Sequence, residues 1–249
     1  MADSATTKPR YIAGSVTPLG EARHPLPKME PLLPPDILSI ASPLEISDYT
    51  TEGVDSAVTN RYWACVDDLV QRGAQSITIA GLPIASQLTR PRVLALLEET
   101  RQRHNVVADA HAEAVLDALK FFKVNRIAIA SRWSDELNAK VHAYLTSAGV
   151  EILTITSAGQ WAEQAFSMSI DAGVRMSIQL GREAMRNAPK AEALLLAGGA
   201  WRSLAAVPIH EEDFGIPCIT NPVAQVWRLI AAGVAPPVQG WGRLLAMQA

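Results

Sequence analysis

The sequence has 249 residues, of which 49% are hydrophobic and 19% charged, and its formal net charge is −3. This composition is typical of a globular protein with one large domain or two small ones, and it excludes a largely disordered chain. The slightly acidic balance predicts no nucleic-acid partner, and apolar runs well below ~18 residues predict no membrane span. A polar N-terminus without a signal-peptide core, and only two cysteines, Cys65 and Cys218, lead us to expect a cytoplasmic protein without a disulfide framework.

Short apolar runs alternate with amphipathic stretches along the chain. The apolar runs predict strands at 11–17, 37–44, 76–82, 106–108, 126–131, 151–156, 193–197 and 217–220. The amphipathic stretches predict helices at 54–72, 91–103, 112–122, 135–147, 161–187 and 222–232. Most strand runs are continuously apolar, which is typical of parallel strands covered on both faces, so the alternation predicts an α/β fold. Residues 18–36 contain six prolines and predict a long ordered loop.

Two of the predicted strands end in a similar way. Residues 77–83 and 194–200 are each an apolar run that leads into small residues, and they lie in opposite parts of the chain. We therefore predict two pseudo-symmetric α/β halves, residues 1–112 plus 223–249 and residues 113–222, each with a roughly four-stranded parallel sheet. Ligands of such sheets bind beyond the carboxyl ends of the strands, so a cleft between the halves would bring Gly81 and Gly198 to one ligand.

Familiar cofactor motifs are absent from the sequence. It contains no Gly-x-Gly-x-x-Gly fingerprint, no Walker loop, no Gly-x-Ser-x-Gly elbow and no His-x-x-x-His pair. The acidic stretch 210–213 begins with a histidine, but consecutive helical residues point in different directions, which favours a solvated helix face over a metal site. We expect neither a metal nor a cofactor.

Short motifs in a fixed order carry a family resemblance. They are 14–18, 51–53, 80–83, 130–138, 196–199, 206–217 and 240–244. In this order they resemble the aspartate/glutamate racemase superfamily, and most closely its arylmalonate decarboxylase and maleate cis-trans isomerase branch. The resemblance covers essentially the whole chain and implies the same two-half α/β fold.

The resemblance also implies where the reactive groups of the family stand. Its racemases use two opposed cysteines, its maleate isomerases a nucleophilic cysteine, and its arylmalonate decarboxylases a glycine at the first position and a cysteine at the second. Here Gly81 holds the first position and Ala197 the second, so both catalytic cysteines are lacking. Cys65 and Cys218 fall within a predicted helix and strand, where we expect inert core cysteines.

A carboxylate would be held at the cleft by backbone amides, hydroxyls and flanking side chains. Leu82 and Pro83 replace the hydroxyl residues that the family carries beside the first position, so the anion site would be rebuilt from Thr17, Ser86, Ser131 or the Gly199 amide. Trp133 and Trp201 offer apolar walls, and Arg202, or else Arg132, could pair with a carboxylate. The candidate substrate-binding residues are Thr17, Pro18, Gly81, Leu82, Ser131, Trp133, Ala197, Gly198, Gly199, Trp201 and Arg202.

Two residues are candidates for the acid or base that replaces the thiols. The stretch 106–113 predicts a strand followed by a helix start, which places Asp109 or His111 at a carboxyl strand end. His111 can transfer a proton near neutral pH, whereas Asp109 also suits a helix N-cap.

The predicted function is a cofactor-independent lyase or isomerase that acts on a small, aryl- or alkyl-substituted carboxylate, and a homo-oligomer is compatible with the sequence. One alternative is a thiol-less homologue that binds a carboxylate without turnover. Another is a hydratase or hydrolase that activates water with Asp109 and His111.

Overall fold

The computed structural model describes residues 8–20, 32–160, 168–198 and 203–247, and its strands form two parallel four-stranded sheets. The first sheet has the order β2-β1-β3-β4, with β1 Tyr11–Thr17, β2 Ile37–Pro43, β3 Ser76–Ile79 and β4 Val107–Ala110. The second has the order β6-β5-β7-β8, with β5 Arg126–Trp133, β6 Glu151–Gln160, β7 Ala193–Ala197 and β8 Cys218–Thr220. The identical strand order makes β3 equivalent to β7 and β4 equivalent to β8. The predicted α/β fold with two such sheets is confirmed.

Helices connect the strands and cover the sheets. They are α1 Thr51–Gln71, α2 Leu82–Leu88, α3 Arg90–His104, α4 His111–Phe121, α5 Asp135–Thr146, α6 Ile170–Asn187, α7 Ala206–Phe214, α8 Asn221–Ala231 and α9 Arg243–Ala246. Thr50, Ser134, Ser169 and Thr220 cap α1, α5, α6 and α8, because each side chain accepts a hydrogen bond from an amide of the first turn. Within the described ranges, no helix is long and apolar enough to cross a membrane.

The central strands β3 and β7 are buried along their whole length, as their apolar sequences predict. Each is followed by a glycine with positive φ, Gly81 at +100° and Gly198 at +111°, a conformation that side-chain-bearing residues rarely adopt. The chain therefore turns in the same way at the two equivalent sheet edges, which is the physical basis of the sequence similarity between 77–83 and 194–200.

Several predicted boundaries differ from the structure. The strand predicted at 76–82 ends at Ile79, and Leu82 already belongs to α2, which was not predicted. Asp109 lies within β4, and α4 begins at His111 with Ala110 as its N-cap, so the N-cap assignment of Asp109 was wrong. The helix predicted at 161–187 is described from Ile170 onward, and residues 161–167 lie outside the described ranges.

The stretch 210–213 is a solvated face only in part, because Glu212 and Asp213 are exposed but the other two residues are not. His210 and Glu211 are only 1% and 7% exposed. The carboxylate of Glu211 accepts hydrogen bonds from the backbone amides of Cys218, at 3.1 Å, and Arg243, at 2.7 Å, and burial raises its pKa. Glu211 thus joins α7 to β8 and α9. Among the described residues, no group of three or more histidine, cysteine, aspartate or glutamate side chains is arranged to hold a metal ion.

Candidate active site

Gly81 and His111 are hydrogen-bonded to each other at the carboxyl edge of the first sheet. The backbone amide of Gly81 donates a hydrogen bond to Nδ1 of His111 at 2.9 Å. Because Nδ1 accepts this bond, the proton of the neutral imidazole lies on Nε2, which contacts Oε1 of Gln225 in a short hydrogen bond. Burial lowers the pKa of His111, so the ring is neutral at pH 7. The two nitrogens therefore have fixed and different roles.

Part-buried ion pairs fix the helix that carries His111. Glu113, in the first turn of α4, accepts two hydrogen bonds from Arg90 at 2.9 and 3.0 Å and one from the Tyr144 hydroxyl at 2.8 Å. The same helix is held from α8 by Arg228, whose guanidinium donates to Asp117 at 2.7 Å. Charge-assisted and bidentate contacts of this kind hold a helix more rigidly than neutral ones.

Asp109 lies close to His111 in sequence but has other partners. Its Oδ1 accepts from the Ala110 amide at 2.8 Å, and its Oδ2 accepts from Nε of Arg228 at 2.9 Å. With both oxygens bonded in this way, Asp109 helps to dock α8 against the first sheet. This arrangement gives no support to the alternative in which Asp109 and His111 together activate water.

The carboxyl edge of the second sheet is apolar and closely packed. Ala197, which ends β7, is fully buried, and Gly198 lies against Trp133. A Cβ at Gly198 would lie 3.0 Å from the indole ring, so the absence of a side chain there lets Trp133 occupy this position. Trp133 is 7% exposed, as expected of an apolar wall. Three predicted ligand contacts, Gly199, Trp201 and Arg202, lie outside the described residues.

The hydroxyl groups considered for the anion site are already used as donors within the protein. Thr17 donates to the Leu19 carbonyl at 3.1 Å, Ser86 donates to the Pro83 carbonyl at 3.2 Å, and Ser131 donates to Oδ1 of Asn138 at 2.6 Å. Leu82, the neighbour of Gly81, is fully buried in the core, whereas Pro18 is half-buried. A carboxylate would therefore need donors other than these three hydroxyls.

Arg132, the second predicted partner for a carboxylate, is 1% exposed. Its Nη2 donates to Oε1 of Gln160 at 2.9 Å, and burial lowers its pKa to about 10. The guanidinium remains cationic at neutral pH because this value is still well above 7.

Both cysteines are buried in the core. Cys65 lies in α1 and directs its sulfur to the Pro43 carbonyl at 3.2 Å, and Cys218 lies in β8. Burial raises the pKa of each thiol, which is the opposite of what a thiolate nucleophile needs. Their placement agrees with the prediction of inert core cysteines.

Three residues of this region were not predicted from the sequence: Ser15, Asn221 and Gln225. Gln225, in α8, reaches the first sheet twice, because its Oε1 contacts His111 and its Nε2 donates to the Ser15 hydroxyl in β1 at 3.4 Å. Asn221 begins α8 directly after β8 and is 1% exposed. Two polar residues four positions apart in the mostly apolar first half of the helix 221–231 were a signal available in the sequence, since such residues share one helix face.

These features define an α/β protein with a candidate site at the carboxyl edge of the first sheet, where α8, the helix that follows β8, contacts His111. A family model described as arylmalonate decarboxylase matches residues 16–245, so the chain belongs to this enzyme family. The arylmalonate decarboxylase of Bordetella bronchiseptica is 28% identical over 220 residues, which span 84% of this chain and 87% of that protein.

Solved structures share the fold. A double mutant of arylmalonate decarboxylase in its liganded form has a TM-score of 0.83 at 24% identity, covering 94% of this chain and 98% of that one. Nocardia farcinica maleate cis-trans isomerase bound to TRIS has a TM-score of 0.75 at 19% identity, covering 95% of this chain and 98% of that one. The resemblance inferred from the ordered motifs is thereby confirmed.

Proposed function

We propose that the protein is a cofactor-independent lyase or isomerase acting on a small, aryl- or alkyl-substituted carboxylate, in which His111 rather than a thiol transfers the proton. The observation that carries this proposal is the 2.9 Å hydrogen bond from the Gly81 amide to Nδ1 of His111. Gly81 occupies the first catalytic position implied by the family motifs. The imidazole of His111 is thus hydrogen-bonded to the backbone of the residue at that position.

The protonation state of His111 suits this role. In a decarboxylation the bond between the α carbon and the departing carboxylate breaks, the electron pair stays on the carbon, and the carbon then takes a proton. In an isomerisation through a carbanion, a base first removes that proton and then returns it. In the neutral ring Nε2 bears the proton and can donate it to the carbanion that decarboxylation leaves, after which the ring regains a proton from solvent. To act as a base, the ring accepts a proton at Nδ1 once the substrate displaces the Gly81 amide, and the lowered pKa keeps that lone pair unprotonated at pH 7.

The proposal is tested with methyl phenyl malonate, by following carbon dioxide release and the enantiomers of the product. We expect His111→Asn to lower the rate at least about a hundredfold, the lower end of what a positioned general acid or base contributes. Asparagine can still accept the Gly81 hydrogen bond, so the fold should survive. The control is His142→Asn on the exposed surface of α5, which should leave the rate unchanged.

A second variant tests independence from thiols. The double substitution Cys65→Ala and Cys218→Ser should keep most of the activity, although stability should fall because both sites are buried. Loss of activity in this variant with the fold intact, or full activity in His111→Asn, would refute the proposal. Binding of the malonate by the wild type without any product would instead support the alternative of a carboxylate-binding homologue.

A further inference from the structure

Asn221 is a buried amide that has no hydrogen-bond partner among the described residues. Its side chain is 1% exposed, and in the part of the chain that the structure describes neither Nδ2 nor Oδ1 makes a hydrogen bond. Buried polar atoms in native proteins nearly always have partners, because leaving one unpaired costs its full desolvation. An unpaired amide at a sheet edge where ligands bind therefore points to a partner that comes from outside the chain.

The position of Asn221 is equivalent to that of His111. Asn221 is the first residue of α8 after β8, just as His111 is the first residue of α4 after β4. The register of β7 and β8 pairs Leu196 with Thr220, so the next residues, Ala197 and Asn221, lie side by side at the edge. The sheet that has alanine at its catalytic position thus has a buried amide beside it.

The helix geometry directs Asn221 toward the same region as His111. Asn221 and Gln225 are four residues apart and share one face of α8, and Gln225 contacts the His111 ring. Side chains on a helix lean toward its N-terminus, so Asn221 projects toward the carboxyl edge of the sheet, one turn before the contact with His111.

The hydroxyls considered for an anion site, those of Thr17, Ser86 and Ser131, already donate within the protein. We infer that Asn221 is a substrate-binding residue whose Nδ2 donates a hydrogen bond to a carboxylate oxygen of the substrate. This inference rests on the proposed function, since it names a donor for the carboxylate of that reaction.

The test separates binding from turnover. Calorimetry at pH 7.5 measures Kd for phenylmalonate and for maleate, and thermal unfolding measures Tm without ligand. Asn221→Leu, which replaces the amide by an apolar group of similar branched shape, should raise Kd about tenfold to a hundredfold, the loss expected for a hydrogen bond to a charged group. Its ligand-free Tm should stay the same or rise, because two unpaired buried atoms are removed. Asn221→Asp should bind more weakly still, since it repels the carboxylate.

Two matched variants serve as comparisons. Asn138→Leu removes a buried amide that bonds Ser131 and the Trp133 carbonyl, so its Tm should fall. Gln87→Leu removes another buried amide nitrogen, on α2, that has no partner in the described part of the chain, and it should leave both Kd values unchanged.

The inference is overturned if Asn221→Leu binds both carboxylates like the wild type, if Gln87→Leu alone loses binding, or if the wild type binds neither probe. The proposed function can fail independently. Tight binding that depends on Asn221, without turnover of methyl phenyl malonate, would refute the proposed reaction and leave the role of Asn221 standing.

Discussion

The contact between His111 and Gln225 allows the charge state of the imidazole to be changed by one isosteric substitution. Gln225→Glu places a carboxylate beside Nε2 in place of the neutral amide oxygen. Two unit charges 4 Å apart attract by about 4 kcal/mol at an effective dielectric constant of 20, and the cost of burying a carboxylate offsets part of this. We therefore expect the protonated ring to gain about 1.4–2.8 kcal/mol, a tenfold to hundredfold change in its protonation equilibrium.

The direction of the expected pKa change follows from the protonation state of His111 in the wild type. Burial lowers the pKa of His111, so the neutral ring persists as the pH falls through 6.5, the ordinary value for histidine. The new carboxylate favours the charged ring, so the pKa of His111 should rise. If the neutral ring is the active form, acidification should abolish the activity of Gln225→Glu at a pH about one unit or more above that at which the wild type loses it. NMR titration of the His111 ring measures the pKa change directly, and the ring signal is assigned by its absence from the spectrum of His111→Asn.

Gln225→Leu is the control variant, in which the pKa of His111 should shift in the opposite direction. The amide oxygen of Gln225 raises the pKa of His111, so its removal should lower that pKa further and extend the activity to more acidic pH. A folded Gln225→Glu variant whose His111 ring titrates at or below the wild-type pH would show that Nε2 does not contact residue 225, and the reasoning about the fixed nitrogen roles would fail.

Two further predictions concern packing and the second catalytic position. In Gly181→Ala, the better helix propensity of alanine should stabilise the protein by about 1 kcal/mol, but steric crowding should destabilise it by about 2–4 kcal/mol. The crowding arises because the new Cβ would lie 2.3 Å from Nε2 of the buried His210, which contacts the Ser177 carbonyl. Tm should fall by several degrees, and a variant more stable than the wild type would contradict the packing argument. Ala197→Cys should confer slow, stereoselective decarboxylation of methyl phenyl malonate, measured by chiral chromatography against the wild type, if a thiol at the second position can deliver a proton. Racemic product at the uncatalysed rate from a folded variant would show that residue 197 does not face the substrate.

The fold could be predicted because parallel strands covered on both faces have a distinctive sequence pattern. The bounds of β1 and β7 follow directly from their apolar runs. The helix α2 could not be predicted in the same way, because the apolar run continues through Leu82 and hides the turn at Gly81. The strand β3 ends because Gly81 has a positive φ, and the only sign of this in the sequence is that the residue is a glycine.

The site could be predicted only in part. Gly81 and His111 were both candidates, but their hydrogen bond depends on the pairing of β3 with β4. Gln225 was missed because its two partners, His111 and Ser15, lie more than a hundred positions earlier in the chain. Glu211 was taken for a solvated charge for a related reason, since the backbone amides that satisfy it belong to β8 and to a segment 32 residues later.

The docking of α8 against α4 has a consequence for how the protein is made. Arg228 pairs with Asp109 across 119 residues of sequence. A ribosome adding about 5–20 residues per second needs roughly 6–24 s to synthesise that stretch. During this time β4 and α4 can form, but Asp109 lacks its cation and His111 lacks Gln225. Until α8 emerges, the nascent first sheet therefore carries the carboxylate of Asp109 without its ion-pair partner and the imidazole of His111 without its hydrogen bond to Gln225. In a chain that ends before residue 221, both groups would lack these partners permanently.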